Sequence, residues 1–382
     1  MADFTFRISP NIILGSYTSS RLGQFALSYG ERFMLVVDPV LKEFGLTEKI
    51  TQSLKDRNVD FFSFEDITDG SSTKTIEQAL ALAKQAHISG VISAGGGRAV
   101  NIARAVCAVF NEEHTIYEIL DGEPLKSSPL PFICLETTMR DPHIFTNYIP
   151  VLDSRSKQLK LLKVSSDLCK LAVFDPNMTV SLTDNQTQSM AIETLCLAAE
   201  AYLSQKANFF SDMLAEKSFE LMSLALDSSP TANITTPQEE LFAQSGCMAS
   251  LALGTSAPGT PSLLALCINS RHKISRSLIA AILFPYFIED CAKFKLAKVA
   301  KIAHILNVCN ADDSDEQAAV SLAENIRQRL AKANLPARLK DLSVTIEQLA
   351  VPVEDAGLTE LVNTLPRSMT SDNLFELIKT AY

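Results

Sequence analysis

Apolar positions in the first half of the chain fall in short runs bounded by turn residues, and stretches with helical spacing separate those runs. Arg32–Val37, Asp60–Phe64, Gly90–Ala94, Pro131–Leu135 and Leu171–Phe174 are short and rich in β-branched or aromatic side chains, which predicts strands. Leu41–Arg57, Thr75–His87 and Arg98–Phe110 carry apolar residues at helical spacing between them. Strands alternating with helices imply crossover connections and a mostly parallel sheet.

The texture changes at Thr183. Thr183 with Gln186 spells a capping box, and almost everything from there to Ala381 has helical spacing. The pattern predicts an α/β domain over residues 1–182 and an all-α domain over residues 183–382. Ser229–Thr236 and Gly254–Pro261 interrupt the helices as loops, without the character of domain linkers.

Composition narrows the function classes. Hydrophobic residues make up 47% of 382, enough for a large buried interior. A formal charge of −10 with no Lys/Arg block argues against a nucleic-acid partner. No apolar run reaches the roughly 18 residues of a membrane helix, and the start lacks the features of a secretory leader, so the expected location is cytoplasmic. Eight cysteines stand singly, without a short-spaced pair, as small apolar core residues of a reduced compartment.

The candidate chemistry begins at Ser93-Ala94-Gly95-Gly96-Gly97, where the third apolar run ends and a helix starts. Glycines let backbone amides approach an anion closely, and the helix aims unpaired N–H groups at the same place. The turn reads as a phosphate cradle; a tight strand-to-helix turn with no ligand is the other reading. Arg98 follows, either to pair with phosphate oxygens or as a solvated arginine at a helix start.

This layout resembles the iron-containing (group III) alcohol dehydrogenases and the dehydroquinate synthase-like superfamily around them. The resemblance rests on Val36-Val37-Asp38-Pro39, on Gly95-Gly96-Gly97 with Ile102-Ala103-Arg104, and on Pro131 through Thr137-Thr138. It continues through Phe174-Asp175-Pro176, Ala199-Glu200-Ala201-Tyr202, Ile282-Leu283-Phe284-Pro285 and Leu335-Pro336-Ala337-Arg338-Leu339. It implies the dehydroquinate synthase-like fold, NAD or NADP in the cleft between the halves, and a divalent ion on the helical half that polarises the substrate oxygen.

The sequence departs from that family at the metal. The register set by Glu200-Ala201-Tyr202 puts Glu193 at the family's aspartate and Leu197 at its first histidine, and Ser262 and Arg276 fall at the other two histidines. Glutamate can ligate, whereas leucine and arginine cannot, so no iron or zinc is expected here. His272 lies four residues from the expected register, and a shifted alignment rescues only that one ligand.

The nucleotide loops depart as well. The family's small Thr-Thr-Ala-Gly-Thr-Gly-Ser-Glu stretch is replaced by Thr137-Thr138-Met139-Arg140-Asp141-Pro142-His143-Ile144, whose bulk and charge either block a nicotinamide or contact another ligand. Asp38 suits an adenosine ribose hydroxyl and favours NAD over NADP, or else simply turns the strand end before Pro39.

By resemblance, the cofactor-binding residues are Asp38, Gly95, Gly96, Gly97, Arg98, Thr137, Thr138 and Arg140. Glu193, Arg276, Arg140, Asp141 and His143, with His272 under the shifted alignment, form a polar set expected to face the cleft. Two functions compete. One is a metal-independent oxidoreductase acting on a small, anionic carbonyl substrate, in which Arg276 polarises the carbonyl and His143 or His272 moves the proton, with Glu193 paired to Arg276. The other is a non-catalytic relative that keeps the fold and a nucleotide pocket. A lyase of the dehydroquinate synthase kind suits Glu193 but not the missing histidines. Family habit implies a homodimer, with Phe4–Ile8 and Asn11–Leu14 pairing at a sheet edge.

Overall fold

A computed structural model describes residues 9–227 and 235–382. The expected strand at Phe4–Ile8 and most of the Ser229–Thr236 loop lie outside these residues. The described chain divides into an α/β unit that ends at Leu182 and a helical unit that begins at Thr183.

The α/β unit runs β1 (Asn11–Leu14), α1 (Leu22–Ala26), β2 (Arg32–Val37), α2 (Val40–Glu43), α3 (Leu46–Lys55), β3 (Asp60–Phe64), α4 (Thr73–Gln85), β4 (Gly90–Gly95) and α5 (Gly97–Val109). It continues with α6 (Ile116–Leu120), β5 (Phe132–Glu136), β6 (Tyr148–Asp153), β7 (Gln158–Lys163) and β8 (Cys169–Phe174). Among the described residues six strands form one sheet in the order β1-β8-β5-β4-β2-β3, with every pairing parallel. Near-continuous apolar strands are what a parallel sheet covered on both faces requires. On one face Leu35, Val37, Ile92, Ile133 and Val173 join Leu22, Ile50 and Leu54 in a single core. Ser93, Cys134 and Glu136 alternate to the other face, which α5 covers.

The structure corrects three sequence expectations. The continuous helix expected over Leu41–Arg57 is two helices, because Gly45 takes φ +66° between them. The helix expected from Thr75 starts at Thr73, where the Ser72 side chain accepts from Thr75 N. An antiparallel hairpin, β6 with β7, stands apart from the main sheet and has no counterpart in the sequence reading. Its turn is organised by charge. Arg155 bonds Asp153 and Asp121, and Lys160 adds to both carboxylates, holding each well below the usual carboxylate range.

The helical unit runs α7 (Asp184–Leu203), α8 (Phe209–Asp227), α9 (Gln238–Gly254), α10 (Thr260–His272), α11 (Arg276–Ile305), α12 (Asp315–Lys332), α13 (Ile346–Leu358) and α14 (Ser371–Ala381). The capping box forms as the sequence predicts, with Thr183 and Gln186 exchanging backbone bonds of 2.9 and 3.3 Å. α7 is buried continuously from Ala191 to Leu203 and packs against α8, α9 and α11. α11 kinks at Lys295 (φ −134°), whose ammonium donates to Leu203 O and Ser204 O at 2.6 and 3.0 Å. Lys298 adds a bond of 2.8 Å to Tyr202 O, so two cations close the carbonyl end of α7.

Seven of the eight cysteines are buried thiols. Cys309, by contrast, is partly exposed, with its Sγ 3.3 Å from His304 Nδ1. Among the described residues no helix is long and apolar enough to cross a membrane.

Candidate functional site

The chain runs from β2 outward to β3, then returns to β4 on the other side of β2 and continues to β5 and β8. The order therefore reverses between β2 and β4, and open parallel sheets bind ligands beyond the carboxyl ends of their strands at such a reversal. Asp38 follows β2 and Gly95-Gly96-Gly97 closes β4, so the sequence candidates meet at that crevice. Asp38 N donates to Ala94 O at 2.9 Å, which fixes the two strand ends together.

The glycines are required by space. Gly95 takes φ +150°, and a Cβ there would stand 2.9 Å from Ala99 Cβ and 3.0 Å from Asp38 Cβ. Gly96 is the N-cap of α5 and supplies no side-chain bond, which leaves the first N–H groups of a 13-residue helix open to an anion. A Cβ on Gly96 would lie 2.9 Å from Thr138 Cγ2. Arg98, in the first turn, reaches back to Asp38, with Nη2 3.5 Å from Oδ2. The other Asp38 oxygen accepts from Val40 N at 3.2 Å. This cradle fits the phosphates of a nucleotide.

Next to it the Thr137–His143 segment is organised by Glu136, a residue the sequence reading passed over. Its Oε1 accepts from Thr137 N at 3.1 Å, from Thr138 N at 2.7 Å and from the Thr138 hydroxyl, while Oε2 makes no bond among the described residues. Burial, then Asp141, pushes the Glu136 carboxyl well above the usual range. Arg140 Nη1 donates to Thr138 O at 3.0 Å, and Asp141 Oδ1 accepts from His143 N at 2.8 Å. Arg140, Asp141 and His143 are all buried, and the His143 ring meets Tyr148 edge-on at 5.9 Å.

Arg104, on α5, anchors the residues that follow that segment. Among the described residues it is the largest fully buried side chain, and it donates to Thr146 O at 2.7 Å and Tyr148 O at 3.1 Å. Burial lowers its pKa, while Asp141 acts in the opposite sense. A charge inside Ala103-Arg104-Ala105-Val106 and an acid closing Phe132-Ile133-Cys134-Leu135-Glu136 were the available signals, since neither belongs in an apolar run without a partner.

The helical unit carries the four positions that the resemblance sets against the family's metal ligands, Glu193, Leu197, Ser262 and Arg276. Leu197 is 1% exposed and apolar. The Ser262 amide and hydroxyl both donate to Glu200, the amide at 2.8 Å. Glu200 is a second buried acid missed from sequence; burial pushes it up to about 7, with Ser262 and Gly259 bonds opposing. Its carboxylate faces the N-terminus of α10, where a Cβ on Gly259 would lie 2.8 Å from Glu200 Cγ.

Glu193 is 9% exposed on α7, and Arg276 opens α11. Ser189 Oγ and Ser277 Oγ stand 3.5 Å apart. This contact sets the start of α11 beside the early turns of α7, the helix that carries Glu193. His272 ends α10, with Nε2 3.1 Å from Gln348 O. Among the described residues no three His, Cys, Asp or Glu side chains converge to hold a metal ion. One carboxylate, one leucine, one engaged serine and one guanidinium do not fit a divalent cation.

Residues 9–176 match the iron-containing alcohol dehydrogenase family, and residues 187–382 match the C-terminal part of the Fe-containing alcohol dehydrogenase family. Long-chain-alcohol dehydrogenase 1 of Geobacillus thermodenitrificans is 26% identical over 336 residues, covering 85% of this chain and 83% of its own. The crystal structure of a 1,3-propanediol oxidoreductase superposes with a TM-score of 0.89 at 19% identity, covering 98% of each chain. A sulfoacetaldehyde reductase from Bifidobacterium kashiwanohense, solved in complex with NAD+, superposes with a TM-score of 0.83 at 17% identity, covering 100% of this chain and 99% of that one. With nearly its whole length accounted for, the chain belongs to the iron-containing alcohol dehydrogenase family.

Proposed function

We propose that the protein is an NAD(P)-linked oxidoreductase that interconverts a small alcohol and its carbonyl without a divalent ion at the family's metal position. The observation that carries this reading is the glycine cradle with the uncapped start of α5 at the β2/β4 reversal. A bound dinucleotide would supply the hydride acceptor or donor. Asp38, Gly95, Gly96, Gly97 and Arg98 would hold its adenosine and phosphates, with Thr137, Thr138 and Arg140 beside them. Arg276, paired with Glu193, supplies the positive charge that draws electron density onto the substrate oxygen. His143 or His272 moves the proton, and the arginines suit an anionic substrate such as an oxo-acid.

A second reading, a non-catalytic relative, is favoured by the buried Thr137–His143 segment, whose own network holds Thr138 against Gly96. The deciding experiment combines elemental analysis of the purified protein with calorimetric titration by NAD and NADP and a panel of anionic carbonyls. Dinucleotide binding and turnover without stoichiometric metal support the first reading. Binding without turnover supports the second, and tight stoichiometric zinc or iron overturns the metal-free mechanism. We also propose a cytoplasmic homodimer, because among the described residues β1 is an edge strand of the sheet, and size measurement in solution tests the dimer.

A further inference from the structure

We infer that Arg98, held across the β2/β4 crevice by Asp38, is a specificity residue that reads a phosphate on the adenosine ribose, making NADP the preferred dinucleotide. The inference rests on the proposed dinucleotide reading and narrows it.

A lone carboxylate at the end of β2 accepts a ribose hydroxyl and repels a phosphate, which is why Asp38 by itself points to NAD. Here the carboxylate is not alone. One oxygen is occupied by Val40 N at 3.2 Å, and the other faces the Arg98 guanidinium at 3.5 Å. The ion pair sets the formal charge of the crevice wall to zero instead of −1.

The guanidinium remains available. The Arg98 side chain is 59% exposed, against 16% for Asp38, and the 3.5 Å contact is long for a charge-assisted bond. Its stem passes over Gly70, near the end of the segment joining β3 to α4, where a Cβ would lie 3.8 Å from Arg98 Cγ, so no side chain at that position covers it. A planar guanidinium with several N–H donors matches a phosphate's oxygens two at a time, which a ribose hydroxyl cannot do. Arg98 also belongs to the first turn of α5, whose positive end favours the same anion.

The test titrates the full chain with 2′,5′-ADP and 5′-ADP, which differ only in the 2′-phosphate, and then with NADP and NAD. The wild type should bind 2′,5′-ADP more tightly by at least about tenfold. Arg98→Ala should bring the two affinities within about threefold, because 2′,5′-ADP loses more than 5′-ADP does. Asp38→Asn should widen the wild-type preference, because it removes the charge that opposes the phosphate. Equal affinities in the wild type, or a preference that survives in Arg98→Ala, overturn this inference while leaving dinucleotide binding standing. Failure of the wild type to bind any of the four nucleotides overturns the dinucleotide reading and this inference together.

Discussion

The methyl of Thr138 rests on Gly96, leaving 2.9 Å to the point where a Cβ on residue 96 would fall. Thr138 cannot swing away cheaply, because Glu136 accepts from both its amide and its hydroxyl. Gly96→Ala should therefore cost about 1–3 kcal/mol in chemical denaturation, the usual penalty for overpacking. Gly96→Ala combined with Thr138→Ser should recover most of the loss, and equal stabilities for the single and double variants would count against this contact.

Removing Arg104 should be among the most destabilising single changes. Arg104→Met leaves the Thr146 and Tyr148 carbonyls and Asp141 without the buried guanidinium, at a cost of about 3–5 kcal/mol. Arg104→Lys keeps the charge but not the fork that spans both carbonyls, so its melting temperature should lie between those of Arg104→Met and the wild type.

Glu200 predicts a pH dependence with a definite sign. Its folded pKa of about 7 lies above the ordinary 4.5, so the native state holds this proton more tightly than the unfolded chain does. Its contribution is fully favourable below the ordinary value and is lost as pH rises through about 7. The difference amounts to about 3 kcal/mol between acid and neutral conditions. Glu200→Gln should gain stability relative to wild type on going from pH 5 to pH 8, measured by urea unfolding. A constant difference across that range would contradict the assignment.

The proposed Glu193–Arg276 pair is tested by a double-mutant cycle. Arg276→Ala alone should cost about 3 kcal/mol or more by leaving a buried carboxylate uncompensated. The double alanine variant should be clearly more stable than Arg276→Ala. Additive losses would mean that the two residues do not act together.

Much of this molecule is legible from the spacing of its side chains. Arg32–Val37 and Asp60–Phe64 are strands with the expected limits, because β-branched and aromatic runs between turn residues have few other uses. Gly45 was overlooked, since helical periodicity on either side of one glycine masks a break that depends on its left-handed φ. The β6/β7 hairpin escaped because Gln158–Lys163 mixes lysines with leucines, and what steadies it is a charge network drawn partly from Asp121, far off in sequence.

The site was legible as a set of positions and not as a network. Asp38, Gly95 and Arg98 could be named from their places after two strands, and the structure brings them together. Glu136, Arg104 and Glu200 carry the electrostatics, yet each sits in an apolar segment where its partners come from elsewhere in the chain. Arg140 and His143 can be named from their side chains, whereas the Thr138 carbonyl that accepts from Arg140 and the Asp141 carboxylate that accepts from the His143 amide are visible only in the structure.

Arg104 lies two turns along the helix that starts at the glycine cradle, and it grips two carbonyls of the neighbouring segment. The helix thus works as a short lever with a load at one end and a clamp near its middle. The expected sign of a filled cradle is slowed amide exchange around Thr146 and Tyr148, measured with and without a dinucleotide, and unchanged exchange there would mean that the clamp does not carry the load.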